Sequence, residues 1–335
     1  MYLAHQHQLQ YVLASAPAWR AAGLLEKRLC KHFQKRFAIA VGDVHQAVLA
    51  VALATDIRPG DEVIVSPLEA RGVSALSLCG ATLVPAIMSA PDLLIEYIWL
   101  RKVLSARTRM LLVPNTGGLA VDHATLREGL RHTHDVSLVA LTSLGMSDPC
   151  GMPSGSDADI VLVDIGPGKA ITAGQGAVIL LDDRALFERL LRAVAPIERQ
   201  WDELGDATPC TLNSTLPVSA SLMVHNTWEH QWDRLRDKQQ RYTKALAFLD
   251  EVCFIQPFTR AGACAFEDAR LSLRPGAEPP VERCTLRYVH EEPGPHLPVV
   301  TWRVPDRTNT LLRLLKKHSG HVKAEAMIAE KWLYC

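Results

Sequence analysis

The sequence lacks most of the features that would place a protein at a glance. Its eight cysteines are scattered, with no CxxC pair and no Cys/His cluster at zinc spacing. That leaves no zinc site or paired-thiol motif to read. The cysteines look like small buried hydrophobes in a reducing compartment. Net charge is absent too: Lys plus Arg and Asp plus Glu are 36 each. Nothing in that balance favours nucleic acid or an acidic membrane surface as a partner. No apolar run reaches the roughly 18 residues a membrane span needs. The first residues, MYLAHQHQLQ, have no basic segment followed by an apolar one, so no export signal is expected. Internal repeats and low-complexity stretches are missing. Together these absences lead to the expectation of a soluble cytoplasmic protein.

What is present is apolar: 48% of 335 residues, enough for a sizeable core, in a length that suits two domains or one large domain with an appendage. Apolar segments at helical spacing (18–36, 45–56, 72–80, 91–105, 122–134 and 184–195) alternate with strand-like runs (37–41, 62–66, 81–87, 108–115, 136–143, 157–165 and 176–183). Pro91 opens one predicted helix and Asp122 caps another. The strands are continuous apolar runs, as in a parallel or mixed sheet covered on both faces. Ligands of such sheets sit beyond the carboxyl ends of the strands.

After residue 196 the texture changes. The stretch "PIERQWDELGDATPCTLNSTLP" reads as a long loop, and a long helix is expected over about 218–249. Short strands and Pro/Gly-rich turns follow, then a strand at 297–305 and a helix at 308–318. The division expected is a large α/β domain over 1–196, then the long helix with a small α+β domain over 197–335.

One stretch carries a chemical question. In "DIVLVDIGPGKAITAGQGAVILLDD" a buried strand runs into a glycine-bounded turn that bears a single lysine, Lys169. That residue could grip a phosphate, form a Schiff base or be an ordinary hairpin charge. The phosphate-loop reading fails, because no glycine lies five residues before Gly168 and Ala170 stands where Ser or Thr is needed.

Taken in order, the segments "LLEKRLCKHFQKRFAIAVGDVHQAVLAVALATDIRPGDEVIVSPLEA", "LCGATLVPAI", "SARTRMLLVPNTGG", "DIVLVDIGPGKAITAGQGAVILLDD", "RYTKAL" and "VTWRVPDRTNTLLRLLKKH" resemble the DegT/StrS family of sugar-nucleotide aminotransferases, from about residue 18 to 318. The resemblance implies the type I PLP-transferase fold, with a large mixed, mostly parallel sheet domain and a small C-terminal α+β domain. It also implies a pyridoxal phosphate (PLP) cofactor, a homodimer and a sugar-nucleotide ligand. Lys169 falls on the family's Schiff-base lysine, the catalytic residue if the protein is active.

The other family positions for the cofactor are substituted. The carboxylate that keeps the pyridine nitrogen protonated falls on Leu141, whose apolar contact disfavours a pyridinium. Asp135 and Asp148 lie outside that strand. The phosphate cup, a Ser-Gly-Thr turn at a helix N-terminus, becomes Asp43-Val44-His45. A phosphate-binding hydroxyl falls on Asp164, a second anion. The Asn-Tyr-Arg segment that serves the partner subunit's site falls at about Cys210-Thr211-Leu212.

Each position has a plainer reading. Asp43 is suited to cap the helix that follows, with His45 in its first turn. Lys169 and Asp164 could form a simple ion pair across the turn. Glu69 and Arg71, near the family's stacking aromatic, read as a solvated loop. "HTH" (132–134) and "HQH" (5–7) lack carboxylates at ligand spacing, so no metal is expected. Trp228 and Trp232, one helical turn apart, suit core or dimer packing, and "RLRDKQQR" a solvated helix face. Two functions follow from the resemblance. One is a catalytically degenerate binding or partner subunit in amino-sugar or polysaccharide biosynthesis. The other is a transaminase moving an amino group from glutamate to a keto-sugar nucleotide through Lys169. The substituted positions favour the first.

Overall fold

The computed structural model describes residues 18–66, 72–87, 94–115, 120–131, 136–147, 151–209 and 212–247, and the strands at 254–255, 268–273, 284–288 and 298–303. The chain opens with helix α1 (Ala18–Phe33), strand β1 (Phe37–Val41) and helix α2 (Val44–Ala54). Strand β2 (Glu62–Val65), helix α3 (Val73–Leu78), strand β3 (Thr82–Pro85) and the short helix α4 (Tyr97–Leu100) follow. Next come β4 (Thr108–Pro114), α5 (His123–Leu130), β5 (Ser137–Ser143), β6 (Ile160–Asp164) and β7 (Ala177–Leu181). Helices α6 (Arg184–Val194), α7 (Ile197–Leu204) and the long α8 (Val218–Ala247) complete this part.

The seven strands form one sheet in the order β1-β7-β6-β5-β4-β2-β3. The pairs from β3 to β6 are parallel, while β7 runs antiparallel to both neighbours, β6 and β1. A mixed, mostly parallel sheet was the expectation. Apart from β3 at the edge, its strands are largely buried on both faces, which is why they read as unbroken apolar runs. One cluster, with Leu25, Leu29, Leu138, Ala140, Val161 and Val163, fills the face covered by α1 and α8. Another, with Val48, Val51, Val139, Leu141, Leu162 and Leu190, fills the face covered by α2 and α6. Further on, β8 (Phe254–Ile255), β9 (Asp268–Leu273), β10 (Cys284–Tyr288) and β11 (Pro298–Arg303) form an antiparallel sheet ordered β10-β11-β9-β8. The helix expected at 308–318 lies outside the described residues.

Two expectations are corrected. Within 94–105 the chain is helical only over α4, because Glu96 is extended at its N-cap (φ −118°, ψ 149°). Ahead of it Leu94 and Ile95 are both buried, and anchoring two successive side chains in the core holds this stretch out of a helix. Pro91 lies outside the described residues. The supposed long loop after 196 contains α7, entered from Pro196 and closed by Gly205 in the left-handed region (φ 78°). That is an ordinary stop signal for a helix.

Trp228 and Trp232 do pack in the core. Their ring centroids lie 6.0 Å apart, and His32 of α1 lies against both, at 5.6 and 5.5 Å. In "RLRDKQQR", Leu235 turns into the core while Arg234, Arg236 and Asp237 are exposed. Among the described residues no helix is long and apolar enough to cross a membrane.

His123 opens α5 beside its capping residue Asp122, whose side chain accepts from the Thr125 amide. It is buried, and desolvation pushes its imidazole down to about 4, against the pull of the Val121 and Val113 backbone and Asp122. A base depressed in the folded state contributes stability that is full above the unfolded value and lost on acidification. The protein is therefore expected to weaken as pH falls from 6.5 towards about 4. Denaturant melts across that window check this: His123→Leu should flatten the dependence, and an unchanged slope in the variant would remove His123 as its source.

Candidate functional site

The parallel strands deliver their carboxyl ends to one edge of the sheet, and the polar side chains gather there. Side chains alternate along a strand. Ser143 and Asp164 therefore share the face of Leu141 and Leu162, two residues back on β5 and β6, which is the face covered by α2. The two are register partners and both are buried. The Ser143 hydroxyl has no hydrogen-bond partner among the described residues.

After β6 the chain makes the turn that carries Lys169. Its glycines supply what other residues resist, with φ of 78° at Gly168, 79° at Gly174 and 110° at Gly176. Thr172 organises the turn from inside. Its hydroxyl meets the Ile165 and Gly166 carbonyls at 3.1 and 2.6 Å and accepts from the Gly174 amide at 2.8 Å. The turn is also tied to α8, where Gln231 Oε1 accepts from the Thr172 amide at 2.9 Å and Gln231 Nε2 donates to Thr227 Oγ1 at 2.7 Å.

Within this frame Lys169 Nζ lies 3.5 Å from Asp164 Oδ2, and the two side chains are only 8% and 7% exposed. The other carboxylate oxygen, Oδ1, accepts from the Gly166 amide at 2.8 Å. The ion pair was the plainer of the readings open to Lys169. Asp164 is thus held at both oxygens, one by the turn's backbone and one by the lysine.

The remaining family positions take structural partners. Leu141 is buried in the apolar cluster on the α2 face. Its carbonyl accepts from the Asn115 amide at 2.9 Å. Asp43 caps α2, its Oδ1 accepting from the Gln46 amide at 2.9 Å. His45 Nδ1 lies 3.9 Å from the same oxygen, and both side chains are about half exposed. Cys210 and Thr211 lie outside the described residues, while Leu212 packs against the core. Glu69, Arg71, Asp135, Asp148, "HTH" and "HQH" also lie outside them. Among the described residues no group of three His, Cys, Asp or Glu side chains could hold a metal.

Sequence reasoning missed a second polar layer. Ser214, two residues beyond Leu212, accepts from the Gly42 amide at 2.9 Å and also bonds Gln46 of α2. On the opposite sheet face Asn115 donates to Thr142 Oγ1 at 2.7 Å and accepts from the Val121 amide and the Ser154 hydroxyl at 3.0 and 3.1 Å. These are neutral groups from distant parts of the chain, and no local motif announces them.

The arrangement can offer an amine, a carboxylate and a hydroxyl at one buried edge. Comparison with known proteins sets it in context. The model of the DegT/DnrJ/EryC1/StrS aminotransferase family matches residues 19–262. GDP-perosamine synthase of Caulobacter vibrioides is 28% identical over 183 residues, covering 52% of this chain and 49% of the relative. The chain therefore spans about half the length of that relative. A DegT/DnrJ/EryC1/StrS aminotransferase from Brucella abortus superposes with a TM-score of 0.69 at 14% identity, over 81% of this chain and 75% of the other. NtdA of Bacillus subtilis, solved with bound PMP cofactor, does so with a TM-score of 0.64 at 18% identity, over 80% of this chain and 62% of the other. At these identities the structural likeness is one of fold.

Proposed function

We propose, for a chain that belongs to the DegT/DnrJ/EryC1/StrS aminotransferase family, that it is a catalytically degenerate member acting as a binding or partner subunit in amino-sugar or polysaccharide biosynthesis. The observation that carries this reading is the buried pair of Lys169 and Asp164. A Schiff-base lysine needs an amine with a free lone pair. The Lys169 nitrogen is engaged by the Asp164 carboxylate instead, 3.5 Å away and buried with it.

The other positions add to the misfit with PLP. Asp43 spends its carboxylate on the first turn of α2, so a negative side chain stands where a helix N-terminus would receive phosphate. Asp164 is a second anion on the same sheet face. Repulsion between like charges at short range in a partly buried site is worth several kcal/mol. Leu141 presents a buried alkyl group where a carboxylate would hold a proton on the ring nitrogen. A homodimer and a sugar-nucleotide ligand belong to the same proposal. The ligand class is supported by the relative whose name is GDP-perosamine synthase.

The competing reading, a transaminase acting on a keto-sugar nucleotide, draws its support from Lys169 itself, which stands on the turn after β6. Purified protein mixed with PLP separates the two. The expectation is no visible absorbance band beyond free PLP, in the wild type and in Lys169→Ala alike. A band present in the wild type and lost in Lys169→Ala would establish the transaminase reading instead.

A further inference from the structure

A cleft opens at the edge of the sheet opposite the Lys169 turn. Phe37 at the start of β1 and Ile160 at the start of β6 both pair with Leu181, so the cleft beside Phe37 lies where β6 begins. Lys169 follows the other end of β6, about 16 Å of strand away. The cleft is bounded by α1, the first residues of β1, α6 and α7, and has a volume of about 510 Å³. That size is ordinary for a small-molecule site. Trp19, Gly23 and Lys27 stand one turn apart along the face of α1 that lines it. About 12 Å of helix therefore leads from an indole to an ammonium. Leu24, an exposed large apolar side chain, widens the apolar end. Gly23 is the informative position. A glycine inside a helix is disfavoured against alanine, and here neither backbone nor packing asks for one. Its φ is not positive, and nothing lies within 4 Å of a Cβ placed there. The bare backbone keeps the middle of the cleft open.

The charges in the cleft do not balance. Arg199 holds both of its carboxylates, Glu26 at 2.9 Å and Glu203 at 2.7 Å. Arg20 is held by Asp202 at 3.0 Å. Lys27 and Arg36 have no carboxylate within ion-pair distance among the described residues. The Arg36 guanidinium lies 5.3 Å from the Phe37 ring centroid, a stack that leaves its N–H edge for an anion. We propose that this cleft binds a nucleoside monophosphate, with the base along Trp19 and Gly23 and the phosphate between Lys27 and Arg36. Two unmatched cations suit a phosphate monoester, which is close to a dianion at neutral pH, whereas a single carboxylate would leave one of them unanswered. A flat base suits the other end, because every base offers a π-face to an aromatic ring and can approach the helix backbone closely where no side chain stands.

The experiment titrates the full-length protein calorimetrically with AMP, UMP, adenosine and inorganic phosphate. At least one of the two nucleotides should bind, one per chain, with adenosine and inorganic phosphate each weaker by roughly tenfold or more. Gly23→Leu fills the open space over the helix and should abolish binding. Lys27→Ala/Arg36→Ala removes both cations and should weaken it by roughly tenfold or more. Both of those side chains are exposed, so the double variant keeps the test open should Gly23→Leu fail to fold, and circular dichroism confirms that each variant is folded. Wild type that binds neither nucleotide overturns the proposal. Inorganic phosphate binding as tightly as the nucleotide reduces the cleft to an ion site and overturns it too, and adenosine binding as tightly removes the role of the cations. Nucleotide binding that survives in either folded variant places the ligand elsewhere and is equally fatal. None of these outcomes touches Lys169, and a PLP band lost in Lys169→Ala would not touch the cleft, so this proposal and the proposed function fail separately.

Discussion

Replacing Arg199 with alanine should destabilise the protein by about 3–5 kcal/mol, the usual cost of leaving a buried charge without its partner. Arg199 on α7 holds Glu26 of α1 with two parallel hydrogen bonds of 2.9 Å, and its Nε reaches Glu203 at 2.7 Å. The Arg199 and Glu26 side chains are 5% and 8% exposed. Glu26 also accepts from the Ala40 amide at 2.7 Å. That amide belongs to β1, which stands at the end of the strand order, so the carboxylate closes part of an open sheet edge. Burial pushes the Glu26 carboxyl up, while Arg199 and the Ala40 amide pull it down. Without Arg199 only the Ala40 amide opposes the upward push. The folded variant then binds a proton at Glu26 more tightly than the unfolded chain does, so its deficit against wild type should shrink as pH falls. Denaturant melts at neutral and acid pH read both effects. The double variant Glu26→Gln/Arg199→Met should recover most of the loss, because glutamine can still accept from Ala40 and no charge is left buried. An Arg199→Ala deficit within about 0.5 kcal/mol, as for an ordinary surface site, would remove the pair from the interactions that hold the fold.

How much of this was legible depended on the distance over which each feature is decided. Helix α2 was read at 45–56 and found at Val44–Ala54, since its apolar periodicity and the Asp43 cap are local. The pairing of Lys169 with Asp164 was open to inspection because they stand only five positions apart, across one glycine turn. Helix α7 was read as loop although Pro196 and Gly205 bracket it. Its buried residues are Arg199 and Gln200, so no apolar stripe marks it in the sequence. Glu26 and Arg199 are 173 positions apart, and Thr172 and Gln231 are 59 apart. Nothing local marks either contact, because folding of the sheet and its covering helices creates both. The family resemblance bridged part of that gap. It singles out Lys169 and the residues aligned with the family's cofactor positions, which composition and periodicity leave unmarked.

Gly176→Ala should cost about 2–5 kcal/mol, combining backbone strain with overpacking. Gly176 has φ 110°, a conformation that costs a residue with a Cβ roughly 1–2 kcal/mol or more. A Cβ there would stand 2.2 Å from Leu216 Cδ1 and 3.4 Å from Ile165. Both neighbours are fully buried, so Leu216 cannot swing clear into solvent. The carbonyl of Gly176 accepts from the Ile165 amide at 3.1 Å, and that bond closes the turn bearing Lys169 onto the start of β7. Gly174 supplies the control. Its φ of 79° demands glycine in the same way, yet nothing lies within 4 Å of a Cβ placed there. Gly174→Ala should therefore show the strain alone, about 1–2 kcal/mol, and the difference between the variants measures the steric part. Equal losses in thermal or denaturant melts would mean that Leu216 yields freely. A larger loss at Gly176 would show the turn clamped between β6, β7 and the residues leading into α8. Such a clamp would keep Lys169 against Asp164.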